Sequence, residues 1–285
     1  MSAPRTVAFV GLGQMGRPMA ANLEKAGFAL RSYDLNGAGN CASVAEAARG
    51  ADMLITMLPD GNAVREVVAQ ALPALAAGAI VLDMSSSDPM GTRALGETLA
   101  AKSVGLVDAP VSGGVKKALD ASLAIMAGGE AALVERVRPL LEKLGARIFL
   151  TGPLGSGHAM KALNNYVSAA GLLATVEALA IGARFGLDPG VMTDILNAST
   201  GRNNTTEVKV KQFMLSGTYA SGFSVGLMAK DLATAAGLAD ALGARAPFAR
   251  ECAQRWREAA SALGALADHT AMHRFVVTPS ENRKE

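Results

Sequence analysis

Aromatic side chains are scarce in this chain, at 4% of its 285 residues with a single tryptophan. That scarcity removes the stacking platforms on which single-stranded nucleic acids are bound. Cysteine is nearly absent as well. Cys41 and Cys252 stand far apart in no metal or redox spacing, which argues against a disulfide framework and for a reducing compartment. The three histidines, His158, His269 and His273, show no zinc-ligand spacing, so no metal is expected and their roles should be structural or at the surface. Charge is sparse at 18%, the net charge is +2, and Lys and Arg are scattered; no nucleic-acid footprint follows. Neither a Gly-x-Ser-x-Gly elbow nor a Ser-His-Asp order is present. The chain enters a strand almost at once, without a charged and then apolar leader. The most apolar stretch, VSAAGLLATVEALAIGA, is interrupted by Glu177 and is expected to fall short of a membrane span. A soluble cytoplasmic protein is the expectation.

What the chain has in abundance is apolar residues, 50% of the total, enough for one large domain or two modest ones. TVAFVG (6–11), FALRSYD (28–34), DMLITML (52–58), AIVLDMS (79–85) and VGLVDAP (104–110) read as buried strands bounded by Gly, Asp or Pro. Helical patterns such as 15–26 and 62–71 alternate with them, which implies βαβ units and a mostly parallel sheet covered on both faces. Two further strands, 122–129 and 146–152, flank a helix at 130–144. After Gly157 the strand pattern stops. One long helix over 158–184 and helical stretches at 189–197, 205–215, 225–242 and 248–266 complete the chain, and the polar tail PSENRKE is expected to fray. The boundaries predicted are a nucleotide-binding domain at 1–160 and an all-helical domain at 161–285.

GLGQMG at 11–16 fits G-x-G-x-x-G and sits between the first strand and the first helix. Gly11 supplies the tight turn, Gly13 a close backbone approach and Gly16 room for helix–strand packing, while Leu12, Gln14 and Met15 complete the loop. A pyrophosphate would rest on the helix N-terminus. Asp34 ends the second strand where an acidic residue holds the adenosine ribose; its carboxylate repels a 2′-phosphate, so NAD is favoured over NADP. DAPVSGG follows the fifth strand at its carboxyl end, where open α/β sheets bind ligands. Ser112 and the amides of Gly113 and Gly114 form either an anion-binding nest for a carboxylate or a plain glycine turn.

In GPLGSGHAMKALNN (152–165), Lys161 and Asn165 are four apart and share a helix face, with Asn164 beside them. A lysine there can exchange a proton with a substrate hydroxyl, although a helix N-terminus disfavours a cation; a solvated lysine is the plain alternative. Lys230 in AKDL either reaches the cofactor or substrate or is a solvated helix residue.

Taken in order and spacing, GLGQMGRPMAANL, DAPVSGG, GPLGSGHAMKALNN and AKDL resemble the β-hydroxyacid dehydrogenases, a family that includes 3-hydroxyisobutyrate dehydrogenases and tartronate semialdehyde reductases. The resemblance covers nearly the whole chain. It implies an α/β Rossmann-type doubly wound sheet joined by a long interdomain helix to an all-α domain, in a homodimer or homotetramer. It further implies Lys161 as catalytic acid/base and Asn165 as a substrate-orienting partner, with Ser112, Gly113 and Gly114 on the substrate carboxylate. Leu58, Pro59 and Ser86 would line the dinucleotide, and Lys230 would contact the site from the second domain. VSGGVKKALDASLAIMAGG and ADHTAMHRF (267–275) look closer to the tartronate semialdehyde reductase branch. Ala121 departs from a usual glycine, and GRNNTTE (201–207) departs from that branch. Arg202, Asn203 and Asn204 are either pocket residues or a polar surface loop. The expected activity is hydride transfer between NAD, with NADP as alternative, and a small 3-hydroxy acid such as 3-hydroxyisobutyrate or glycerate. Rival readings are an NADP-dependent semialdehyde reductase, an imine reductase, which usually lacks the lysine, and a non-catalytic NAD-binding module. A 6-phosphogluconate dehydrogenase would need a larger helical domain and a basic cluster.

Overall fold

The apolar runs of the first half pair as the alternation of strands and helices requires. The structure, a computed structural model, describes residues 6–277; Met1–Arg5 and the tail PSENRKE lie outside the described residues. Chain contacts divide it into two compact units, one ending at Lys161 and the other beginning at Ala162.

In the first unit Thr6–Val10 (β1), Ala29–Tyr33 (β2), Met53–Thr56 (β3), Ile80–Asp83 (β4) and Gly105–Asp108 (β5) pair in parallel in the order β2-β1-β3-β4-β5. Successive side chains of β1 enter opposite cores, Val7 and Phe9 on one face, Ala8 and Val10 on the other. A sheet covered on both faces demands that pattern. The covering helices are Gly16–Lys25 (α1), Val44–Ala48 (α2), Gly61–Ala71 (α3) and Pro89–Ala100 (α4). Asp60 caps α3 through the amides of Asn62 and Ala63, and Asp88 caps α4 ahead of a first-turn proline. This is a Rossmann-type doubly wound sheet, and strand order reverses beside β1.

The sheet continues with an antiparallel addition. Val111–Ser112 (β6) and Leu123–Gly128 (β7) run antiparallel to each other, Asp108 of β5 pairs with Gly128, and Gly145–Gly152 (β8) lies parallel to β7. Gly114–Leu119 (α5) and Ala131–Leu141 (α6) fill the connections. The stretch expected as a nest or turn is therefore strand up to Ser112. Its pairing partner lies across the chain in β7, which local sequence does not reveal.

A single helix, Ser156–Phe185 (α7), carries the chain into the second unit. By length and composition this 30-residue helix is long and apolar enough to cross a membrane, which corrects the expectation that Glu177 cuts it short. Glu177 is exposed, so it costs the helix nothing. Ala169, Leu172, Leu173, Val176 and Leu179 are buried in the core of the helical unit, the role such an apolar run fills in a packed bundle. Pro189–Ala198 (α8), Asn204–Val208 (α9), Val225–Ala241 (α10), Pro247–Leu263 (α11) and Met272–Val277 (α12) follow. The helix expected over 205–215 is two: α9 stops at Lys209, and Val210–Leu215 is a π-helix. Asn203 accepts from the amides of Thr205 and Thr206, while Thr206 returns a bond to the Asn203 amide. Its side chain is thus committed to a capping box.

Two predictions follow from these packing details. Ala121 sits at φ +56°, a left-handed conformation that costs an L-residue about 1–2 kcal/mol. Ala121→Gly should raise stability by roughly 0.5–1 kcal/mol after the entropy glycine loses on folding, and urea unfolding with no gain would refute the strain. The second concerns His269, buried with Nδ1 3.0 Å from both Ser221 Oγ and the Phe223 carbonyl. Burial, reinforced by the Lys209 charge, pushes its pKa down to about 4. Between pH 6.5 and 4 the unfolded chain therefore binds a proton that the folded chain refuses. The stability is fully present above pH 6.5 and is lost as pH falls through that window, by about 2 kcal/mol from pH 7 to pH 5. Urea midpoints at the two pH values should show this drop, with a shallower one in His269→Gln.

Candidate active site

The loop after β1 is built from contacts that exclude side chains. A Cβ at Gly16 would lie 1.8 Å from the Gly11 carbonyl oxygen, so only glycine lets α1 start against the strand's end. Gly13 and Gln14 are exposed, and nothing lies within 4 Å of a Cβ placed at Gly13. No side chain caps α1 at Met15; the Arg17 amide bonds the Gly13 carbonyl, and the positive end of the helix favours an anion at the loop. Asp34, just past β2, accepts from the Leu12 amide at 2.7 Å and from the Asn36 amide at 2.9 Å. The Asn36 bond, with the Leu12 bond behind it, holds its carboxyl below the usual range. Asp34 is thus both the acid beside the glycine loop and a local turn former. Open space over Gly13, a helix end without a side-chain cap and an ionised carboxylate alongside fit a dinucleotide's pyrophosphate and ribose.

The turns after β3 and β4 are fastened to each other. The Leu58 amide donates to Ser85 Oγ at 2.9 Å, with Pro59 exposed and Ser86 half-buried nearby in sequence. Behind them Asp83, 2% exposed, accepts from Thr56 Oγ1 (2.9 Å), the Ser85 amide (3.0 Å) and Ser87 Oγ (2.7 Å). Ser112 closes β6, and Gly113 and Gly114 stand exposed at φ +138° and +66° as α5 begins.

Asp108, fully buried at the end of β5, accepts from the amides of Gly155 and His158, both at 2.8 Å. It is the anchor for the first turn of α7, and Lys161, half-buried, follows one turn later. In the second unit Asn165 is buried and donates through Nδ2 to Asp231 Oδ2 at 2.5 Å, and Lys230 Nζ lies 3.3 Å from the other oxygen of Asp231. Asn164 donates to Asn165 Oδ1 at 3.1 Å. Sequence reasoning singled out Lys230 and Asn165 but missed Asp231, whose only signal is an acid inside the apolar helix of AKDL. It missed Asp83 and Asp108 as well. His158 and His269 are buried and His273 half-buried; among the described residues no cluster could hold a metal ion. Arg202 is exposed, 3.7 Å from Glu207.

Two family models divide the chain. Residues 6–152 match the NAD binding domain of 6-phosphogluconate dehydrogenase, and residues 155–276 match the NAD-binding domain of NADP-dependent 3-hydroxyisobutyrate dehydrogenase. The 3-hydroxyisobutyrate dehydrogenase of Pseudomonas aeruginosa is 39% identical over 85% of this chain and 88% of its own length. The 2-(hydroxymethyl)glutarate dehydrogenase of Eubacterium barkeri is 37% identical over 80% of each. Among solved structures, Mycobacterium tuberculosis 3-hydroxyisobutyrate dehydrogenase with L-serine superposes with a TM-score of 0.89 at 34% identity, covering 96% of this chain and 99% of that one. The chain belongs to the β-hydroxyacid dehydrogenase family.

As a β-hydroxyacid dehydrogenase it is an NAD(P)-dependent oxidoreductase, and the glycine loop and Asp34 are the parts of the first unit whose geometry fits that cofactor. In this dehydrogenase Gly16→Ala should cost about 1–3 kcal/mol of stability through the clash with Gly11, or displace the loop and weaken NAD binding. Thermal unfolding and fluorescence titration with NAD check it; both unchanged would refute the close contact.

Proposed function

We propose that the enzyme oxidises, reversibly, the hydroxyl carbon of a small 3-hydroxy acid with NAD, and that Lys161 is its general acid/base. The observation that carries this reading is the Asp108 carboxylate. It holds the first turn of α7 and ends the strand that leads, four to six residues on, to Ser112, Gly113 and Gly114. The helix bearing the lysine and the turn suited to a carboxylate are therefore registered by one residue. In oxidation Lys161, neutral at that moment, accepts the hydroxyl proton at Nζ as the carbon's hydrogen leaves with its electron pair. In reduction the ammonium returns the proton. The dinucleotide, when bound, supplies the hydride acceptor or donor. Ser112 Oγ and the amides of Gly113 and Gly114 bind the substrate carboxylate. Asn165 orients the substrate, its amide held by Asp231, which Lys230 flanks at 3.3 Å.

The substrate class is supported by the relatives' names. 3-Hydroxyisobutyrate, L-serine and 2-(hydroxymethyl)glutarate share a primary alcohol on the carbon β to a carboxylate. NAD is favoured because Asp34 is held ionised where a 2′-phosphate would fall. A homo-oligomer is supported by large apolar residues left exposed along α7, Ile181 at 70% and Phe185 at 83%.

Lys161→Ala should fold normally and lose roughly two to four orders of magnitude in kcat. The measurement is a panel of glycerate, 3-hydroxyisobutyrate, 3-hydroxypropionate, serine and threonate with NAD and NADP in parallel, plus reduction of tartronate and succinate semialdehydes. Near-full turnover by folded Lys161→Ala would remove the lysine from the chemistry, and a wide NADP preference would overturn the role of Asp34.

A further inference from the structure

His158 is the one histidine inside the nucleotide-binding unit, and it is 1% exposed. Its ring is set among polar groups from three elements. Nδ1 lies 2.8 Å from Thr92 Oγ1 on α4 and 3.8 Å from Asp108 Oδ2 at the end of β5, and Nε2 lies 3.6 Å from Asp83 Oδ2 at the end of β4. The backbone amide of the same residue donates to Asp108 at 2.8 Å. Among the described residues Nε2 has no partner within hydrogen-bonding distance, an arrangement that costs free energy wherever a buried polar atom is left so. An apolar side chain would fill this volume without that cost, so packing alone does not explain an imidazole here.

The geometry of the surroundings does. A Cβ at Gly157 would lie 2.2 Å from the Met126 carbonyl oxygen, so the backbone before His158 is pressed against β7 and fixes the helix in translation. Rotation of its first turn is then limited by the ring of His158, gripped by Thr92 and flanked by the two carboxylates. Asp83 in turn binds the Ser85 amide, and Ser85 binds the Leu58 amide. A path of hydrogen bonds and close approaches thus runs from the turns after β3 and β4 to the helix that carries Lys161 three residues beyond His158.

We propose that His158 is a positioning residue: gripped by Thr92 and flanked by Asp83 and Asp108, its ring sets the azimuth of the first turn of α7 and thereby the direction of Lys161, in register with the turns after β3 and β4. This rests on Lys161 being the acid/base, so the experiment carries both questions.

His158→Phe, His158→Asn and Thr92→Val are compared with Lys161→Ala in the full chain, with a substrate from the panel above. Phe removes both nitrogens, Asn retains a polar atom near Nδ1, and Thr92→Val leaves the imidazole but removes its hydroxyl partner. The expected result is a fall in kcat of roughly tenfold or more in His158→Phe, as a misplaced reacting group gives. NAD affinity and substrate KM should change no more than about threefold by the same argument. His158→Asn should recover part of the loss, and Thr92→Val should lower kcat with KM unchanged. A folded His158→Phe with kcat within twofold of the parent overturns the proposal. So does a loss shared equally by kcat, KM and NAD affinity, which would mark a structural role only. If His158→Phe does not fold, Thr92→Val decides alone, and an unchanged kcat there overturns the proposal. Active Lys161→Ala would instead strike the acid/base assignment, and is told apart because it is read on a different variant.

Discussion

The Asp108 carboxylate is the contact on which the architecture of the site depends. It is fully buried, and a buried anion is tolerated only where donors compensate it. The amides of Gly155, just before α7, and of His158, in its first turn, do so, at a helix end whose amides would otherwise lack acceptors. Each need is met by the other, and the helix's positive end faces the negative charge. Hydrogen bonds to a charged group are worth about 1.5–3 kcal/mol each, enough to fix where a helix begins. The same strand end leads directly into Ser112–Gly114, so one residue dictates the start of the long helix and the departure point of the glycine turn.

A second carboxylate does comparable work at the other end of the parallel sheet. Asp34 ties the Leu12 amide to the end of β2, so the glycine loop is ordered by the residue proposed to receive the ribose. The bonds that keep it ionised are made by the protein before any ligand arrives, and a preformed acceptor lowers the cost of ordering on binding.

How far the sequence reveals this differs between elements for physical reasons. The strands and the glycine loop are legible because period-two burial on both faces and a Cβ-free contact leave local marks: apolar runs and fixed glycines. Lys161 and Asn165 are legible as a pair only because helical spacing is local. Asp83 and Asp108 read as ordinary strand-end residues, since the partners that tie them across the fold, Thr56 for Asp83 and Gly155 and His158 for Asp108, lie 27 to 50 positions away. The break at Lys209 is hidden in an apolar periodicity that runs through it, and Asn203 reads as a polar loop residue until Thr206 is seen to answer it. His158 was expected to be structural or exposed, a choice that its neighbours in sequence cannot make. Its burial comes from Thr92, Asp83 and Asp108, all distant in the chain.

The same reasoning explains why position 165 is an amide. Asp231 is an acceptor and nothing else when ionised, and it is 4% exposed with Lys230 at 3.3 Å. At 2.5 Å from it, position 165 must donate. A carboxylate there would set two negative charges in contact away from water, and a leucine would leave Asp231 with one fewer compensating donor. Asparagine donates through Nδ2 and thereby turns Oδ1 away from Asp231, toward Asn164. Its orientation is settled by the acid, not by the ligand. The buried acid of AKDL and the amide of KALNN are therefore one hydrogen-bonded unit, though 66 residues separate them, and each satisfies the other's hydrogen-bonding need.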